Sequence, residues 1–134
     1  MSANKRYYWL KLSENFFTQK EIRKLRRVAG GDTYTIIYLK MLLKAMQDGG
    51  KLYYEGIEED FETELAYDID EKVENVRMTV GFLKGHGILT EAPAGEYELL
   101  TMQEMVGSET DSAKRMRRAR QVKLIEESKN PELI

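Results

Sequence analysis

Two groups of positive side chains in this sequence have the spacing to meet a polyanion. Lys114, Arg115, Arg117, Arg118, Arg120 and Lys123 place six cations in ten positions, and Lys20, Arg23, Lys24, Arg26 and Arg27 form a second group nearer the start. Such clusters neutralise phosphates and release their counterions, which depends on local charge and not on the net charge of −2. Carboxylates gather elsewhere: Glu58, Glu59, Asp60, Glu62, Glu64, Asp68, Asp70 and Glu71 are opposed only by Lys72. At that density carboxylates usually form a solvated face.

Catalytic chemistry finds little to work with. His86 is the single histidine, so a Ser/His/Asp triad has one possible base and an HExxH zinc site is impossible. Cysteine is absent, which removes disulfides, thiolate zinc sites and thiol nucleophiles together. No GxGxxG turn and no glycine-rich GxxxxGK loop is present to cradle phosphates. The expectation is a protein that is not an enzyme, with no cofactor and no metal. His86, beside two glycines, reads as a helix-end residue.

A chain of 134 residues has room for one compact domain, or one domain and a tail. Its 42% hydrophobic and 33% charged fractions suit a globular core without a surplus for lipid. No segment is long enough to span a bilayer, and the start MSANKRYYWL lacks the apolar stretch of a secretory signal. We expect an intracellular protein with no membrane partner.

Periodicity supplies the elements that must position these charges. Arg6 to Leu12 reads as a strand or extended arm, with Trp9 anchored in the core. Thr18 and Glu21 form a capping-box pattern for a helix to about Ala29, whose Ile22, Leu25 and Ala29 share a face while the lysines and arginines point to solvent. Gly30-Gly31 ends it. Asp32 is placed to cap a second helix, Thr33 to Gln47, apolar nearly all round and therefore buried. Lys51 to Glu55 reads as a strand, Glu58 to Tyr67 as a helix with Phe61, Leu65 and Ala66 inward, and Asp68 to Asp70 as a break. A further helix runs from Asp70 to about Gly85, with Val73, Val76, Val80 and Leu83 on one stripe. Ile88 to Glu91 and Glu96 to Leu100 form a hairpin around Ala92 to Gly95. Gln103 to Glu109 reads as a linker or short turn, and Ser112 to Ser128 as a polar helical tail.

Helix, break, helix and hairpin in that order predict an α+β, mainly helical winged helix, in which a helix-turn-helix is followed by a β-hairpin and then a basic C-terminal helical tail. Residues 1–106 are expected to form the DNA-binding domain and residues 107–134 the linker and tail. Generic α+β domains share the element order, so that alternative stands beside it. The stripe leaves Glu71, Glu74, Asn75 and Met78 opposite, with Lys72, Arg77 and Lys84 on the flanks. Asn75 has the amide to read an adenine edge, or it is a solvated helix residue; Lys72 and Arg77 suit phosphate or guanine. Glu71 and Glu74 oppose close docking. Thr90 to Tyr97 holds no lysine or arginine, so the hairpin reads as structural. Lys114, Arg115, Arg117, Arg118 and Arg120 complete the candidate DNA-binding set, unless Met116, Ala119, Leu124 and Ile125 pack the tail on a neighbouring subunit.

Ordered runs in the chain carry a resemblance. Arg6-Tyr7-Tyr8-Trp9-Leu10-Lys11-Leu12, Phe16-Phe17, Ile37-Tyr38-Leu39-Lys40, Leu52-Tyr53-Tyr54-Glu55-Gly56 and Glu64-Leu65-Ala66 are followed by Gly87-Ile88-Leu89 and Met105-Val106-Gly107-Ser108-Glu109. Ser112-Ala113 with Arg115, Arg117 and Arg120 closes the set. Over about residues 6 to 120 the chain resembles the N-terminal domain of replisome organisers from phages of Gram-positive bacteria. The resemblance implies phage DNA replication initiation, with double-stranded DNA at the phage origin and a helicase loader or helicase as partners. It further implies several copies acting together in the bacterial cytoplasm, associated with the nucleoid. Such proteins often continue into a further C-terminal region, where loader contacts are expected. The alternative is a protein-interaction module, or a transcriptional-regulator-like winged helix, that docks a partner through acidic residues 55–74.

Overall fold

The structure is a computed structural model that describes residues 6–100 and 105–129. It is α+β and mainly helical. In chain order the elements are β1 (Arg6–Leu10), α1 (Lys20–Arg27), α2 (Gly31–Ala45), β2 (Lys51–Tyr53), α3 (Phe61–Ile69), α4 (Val73–Gly85), β3 (Leu89–Ala92), β4 (Glu96–Leu99), β5 (Val106–Thr110) and α5 (Asp111–Lys129). They divide into two compact units: Trp9–Val106, and a second that brings the start of β1 together with β5 and α5.

In the first unit α2 is the buried centre. Ile37, Met41, Leu42 and Ala45 are fully shielded from solvent, and only Ile36 and Leu43 among its large apolar residues are well exposed. Ile22 and Leu25 of α1, Leu65 and Ala66 of α3, and Val76, Val80 and Leu83 of α4 complete the buried set around it. Removing each Leu- or Val-sized side chain from water contributes about 1.5–3 kcal/mol. Beside the helices lies an antiparallel sheet in the order β2-β4-β3. β4 is central, with Tyr97 opposite Leu52 on one side and Glu91 on the other. Tyr97 stacks on Phe61 at 3.6 Å between ring centres, which ties the sheet to α3.

Several boundaries differ from those that local propensity predicts. Thr18 lies in a short 3-10 turn and its hydroxyl donates to the Asn15 carbonyl, so α1 starts at Lys20 after Gln19 with no side-chain cap. α1 then stops at Arg27. Gly30, at φ 83°, precedes α2, and Asp32 lies inside its first turn, paired with Arg26 at 2.7 Å instead of capping. The turn is too tight for any other residue at Gly31, where a Cβ would lie 2.3 Å from the Leu25 carbonyl oxygen. α3 starts late, at Phe61, because Asp60 accepts the Thr63 amide at 2.8 Å. α4 starts at Val73, since Asp70 adopts the left-handed conformation (φ 57°) that closes α3.

Trp9 is 39% exposed and not a core residue, whereas Leu10, on the opposite face of the strand, packs against the core. Val106–Thr110 is a strand paired with β1, not a linker, although Val-Gly-Ser-Glu-Thr has no apolar alternation to announce it. Gln103 and Glu104 of the expected linker lie outside the described residues. In the second unit α5 is one helix over Asp111–Lys129, and its side chains from Arg115 to Ser128 are all exposed.

Glu64, on α3, is an acid that packing pulls out of the charged block. It is 6% exposed, and its carboxylate accepts the backbone N–H of Glu55 at 2.7 Å, of Ile57 at 2.9 Å and of Glu58 at 3.4 Å. The Glu55 amide first, then those of Ile57 and Glu58, hold the carboxyl below the usual carboxylate range against the opposite effect of burial. One side chain thus pins the segment between β2 and α3. Because its folded pKa is depressed, its stabilisation is complete at neutral pH and is lost as pH falls through that pKa. We expect Glu64→Gln to lower Tm at pH 7, and the gap from the parent protein to narrow below about pH 4 in thermal melts followed by circular dichroism.

Candidate nucleic-acid interface

The turn between α3 and α4 is held from below by α2. Lys40 donates to the Ile69 carbonyl at 2.9 Å and to the Glu71 carboxylate at 2.6 Å. A cation at the carbonyl end of α3 also complements its helix dipole. The Asp70 amide returns to the carbonyls of Ala66 and Tyr67. Glu71 is therefore neutralised within the fold and does not stand as a free negative charge at the start of α4.

α4 buries Val76, Thr79, Val80 and Leu83. Thr79 is admitted because its hydroxyl donates to the Asn75 carbonyl at 2.8 Å, and Val73 is left half-buried at the edge of the stripe. Glu74, Met78, Gly81 and Gly85 are exposed, Met78 at 58%. At roughly 100° per residue these four fall on one side of α4, opposite the buried stripe. Asn75 is half-buried beside that side, and Lys72 is exposed at the helix start with no side-chain partner among the described residues. Lys72, Asn75 and Met78 thus lie along the first two turns.

The other two basic candidates on α4 are occupied. Arg77 pairs with Asp60 at 2.8 Å and donates to the Thr63 hydroxyl at 3.1 Å, so it ties α4 to the start of α3. Hydrogen bonds from Thr63 first, and then Arg77, hold the Asp60 carboxyl below its ordinary range. Lys84 pairs with Glu91 at 2.8 Å and lies 5.3 Å from the centre of the Tyr97 ring. Burial, then the Glu91 charge, push the Tyr97 phenol up to about 12. Lys84, Glu91 and Tyr97 are thus a latch between α4 and the hairpin. The hairpin tip, Pro93–Gly95, turns through a left-handed Ala94 (φ 66°).

On α5 Lys114 lies 4.2 Å from the centre of the Tyr7 ring, and Arg115 reaches Ser112 at 3.5 Å. Arg118, Arg120 and Lys123 are exposed. At roughly 100° per residue the cations from Lys114 to Lys123 surround the helix instead of sharing a face. Met116, Ala119, Leu124 and Ile125 are scattered in the same way, and give no single apolar stripe for a neighbouring helix. The other basic group is ordered differently. Lys20, Arg23, Lys24 and Arg27 line one shallow groove on α1, while Arg26 turns aside to Asp32. Periodicity alone assigns this face to solvent; the fold adds that these four cations converge. Among the described residues no group of histidine and carboxylate side chains has the geometry to hold a metal ion, and no helix is long and apolar enough to cross a membrane.

The family model for the N-terminal phage replisome organiser matches residues 9–127, most of the chain. The chain belongs to the N-terminal phage replisome organiser family. Membership ties it to phage replication and to an organising role. The matched residues reach from the start of the first unit into the C-terminal half of α5, so the basic helix is part of what the family shares. Neither a curated protein nor a solved structure matches the chain.

Arg77 separates the two uses of a cation on this replisome organiser domain. We expect Arg77→Ala to lower Tm by no more than about 5 °C in a thermal melt, as loss of a half-exposed ion pair should. The salt dependence of any DNA binding should stay unchanged, because the guanidinium already serves Asp60.

Proposed function

We propose that residues 1–106 form a winged-helix domain that binds double-stranded DNA at a phage replication origin, with residues 107–134 as a basic tail that adds phosphate contacts. On this reading α3, the Asp70 turn and α4 are the helix-turn-helix, α4 enters the major groove, and the bound protein nucleates assembly with a helicase loader or helicase in the host cytoplasm. The observation that carries it is topological. A buried helix, a strand, two helices and a hairpin follow in that order, with the first strand beside the last in the sheet β2-β4-β3. That arrangement leaves one side of α4 uncovered, as groove entry requires.

Roles follow from the placement of side chains. Asn75 offers a donor and an acceptor to an adenine edge, and Met78 an apolar contact to a thymine methyl. Lys72 meets phosphate at the helix start. Gly81 and Gly85 carry no side chain that would hold the α4 backbone away from DNA. Arg77 and Lys84 act at one remove, by fixing α4 against α3 and against the hairpin. Lys114, Arg115, Arg117, Arg118 and Arg120 neutralise phosphates without reading sequence.

Salt-resolved binding to origin and random duplexes tests the reading. We expect Asn75→Ala to erode the preference for origin DNA by about 1–3 kcal/mol of discrimination, with little loss on random duplex. Lys72→Ala should weaken both alike and reduce the salt slope by about 1. Changing Arg115, Arg117, Arg118 and Arg120 together to alanine should flatten the slope by about 3 to 4. Equal affinity of the parent protein for origin and random DNA at matched salt would defeat the origin-recognition claim.

The acidic segment supports a second role on the same molecule. Ile57 is 75% exposed and Tyr67 83%, and both line a groove of about 460 Å³ with Glu55, Glu58, Glu64, Asp68 and Lys44, in which Lys44 pairs with Asp68 and Glu64 is held by backbone amides. Exposed apolar anchors beside the carboxylates of Glu55 and Glu58 suit a basic partner protein. We expect Ile57→Ser with Tyr67→Ala to abolish binding of a basic replication partner in a calorimetric titration while DNA affinity stays within about twofold.

A further inference from the structure

We infer that the outward face of α1, formed by Lys20, Arg23, Lys24 and Arg27, is a second DNA contact, one that holds the phosphodiester backbone of a duplex independently of α4. The inference rests on the duplex-binding reading above. It starts from helical geometry. At roughly 100° per residue those four positions fall within an arc of about 100°, while the buried Ile22 and Leu25 lie on the opposite side. Glu21 and Arg26 fall on the two edges, and Arg26 is neutralised by Asp32 at 2.7 Å. The stripe is therefore purely cationic. It lines a shallow groove of about 320 Å³, and Arg23 and Arg27 continue into an adjoining groove of about 380 Å³ beside Phe17 and Arg26.

Helix stability does not account for the stripe. Cations suit the carbonyl end of a helix dipole, which covers Lys24 and Arg27, but Lys20 and Arg23 sit in the first turn, where positive charge is disfavoured. Nor does pairing within the fold account for it. Lys40, Lys44, Lys51, Arg77 and Lys84 each reach a carboxylate, whereas none of the four α1 cations has a partner among the described residues.

Charge and chemistry indicate the ligand. From Lys20 to Arg27 the stripe runs about 10 Å along the helix axis, a length over which one strand of a duplex presents about three phosphates. No large apolar side chain lies within the arc; the half-exposed Phe17 ring beside the adjoining groove packs edge-on against Phe16 and under Arg26. Protein interfaces rely on several buried aromatic or aliphatic anchors, and the arc itself offers none. No amide side chain stands in the arc to read a base edge, so the contact is to the backbone and blind to sequence.

The test replaces Lys20, Arg23, Lys24 and Arg27 with glutamine, which preserves helix propensity and leaves Ile22 and Leu25 in place. Binding of the full chain to origin duplex, to random duplex of the same length and to single strands is measured against salt, with self-association followed by sedimentation. We expect affinity for both duplexes to fall roughly 100-fold at physiological salt and the slope to drop by about 3, with the origin preference ratio retained. If the quadruple variant melts early, Arg23→Gln with Arg27→Gln should give about half the change in slope with an unchanged Tm. A variant that binds duplex as the parent does, at every salt concentration, overturns the α1 contact and leaves the α4 reading intact. Loss confined to self-association identifies an acidic protein surface as the true occupant, and loss confined to single strands identifies a different nucleic acid; both overturn the inference. A parent protein that binds no duplex at all removes the broader reading along with this one.

Discussion

The fold depends on one helix having almost nowhere to meet water. Ile37, Met41, Leu42 and Ala45 make α2 the floor on which the other elements of its unit are built, and each neighbour needs to offer only one apolar side. Their other sides stay exposed. The same helix fixes the geometry above it through one polar reach, since Lys40 takes hold of both the last carbonyl of α3 and the first acid after the turn. Burial, the Lys40 ammonium and the ion pairs of Arg77 and Lys84 together hold α4 in place.

Charge is distributed by pairing more than by composition. Glu64 faces backbone amides, Asp60 caps α3 and receives Arg77, Glu71 meets Lys40, and Asp68 lies 3.4 Å from Lys44. Much of the apparent acidity of the middle of the chain is thus internal structure, and its repulsion of a polyanion is smaller than a count of carboxylates suggests. Among the described residues, Lys20, Arg23, Lys24 and Arg27 of α1 and Lys72 at the start of α4 reach no such carboxylate. A protein with a net charge of −2 can in this way present surfaces that are locally positive.

Much of the architecture was legible in the sequence where a pattern repeats locally. The stripe on α4, the hairpin with its Pro-Ala-Gly turn, the buried character of α2 and the helical tail all follow from spacings of two, three and four residues. Boundaries were less legible because caps compete. Thr18 and Asp32 have the right side chains, yet a 3-10 turn claims one and Arg26 the other. β5 was illegible for a different reason: its pairing with β1 joins segments about a hundred residues apart, and its own five residues carry no strand pattern. At the candidate site, helical spacing placed Lys72, Asn75 and Met78 on α4, but no local rule reveals that Arg77 and Lys84 are claimed by Asp60 and Glu91. Those partners come from other elements. The i, i+3, i+4, i+7 pattern of Lys20, Arg23, Lys24 and Arg27 was visible from the start, and only the missing counter-charges around it give that pattern weight.

Gly31 carries a consequence beyond the turn it permits. A Cβ there would lie 2.3 Å from the Leu25 carbonyl oxygen and 2.4 Å from that of Arg26, so the end of α1 and the start of α2 meet backbone to backbone. On the proposed reading, a duplex on α1 would still have to order the rotamers of four long side chains, at about 0.5–1.5 kcal/mol each, and that cost offsets part of the attraction.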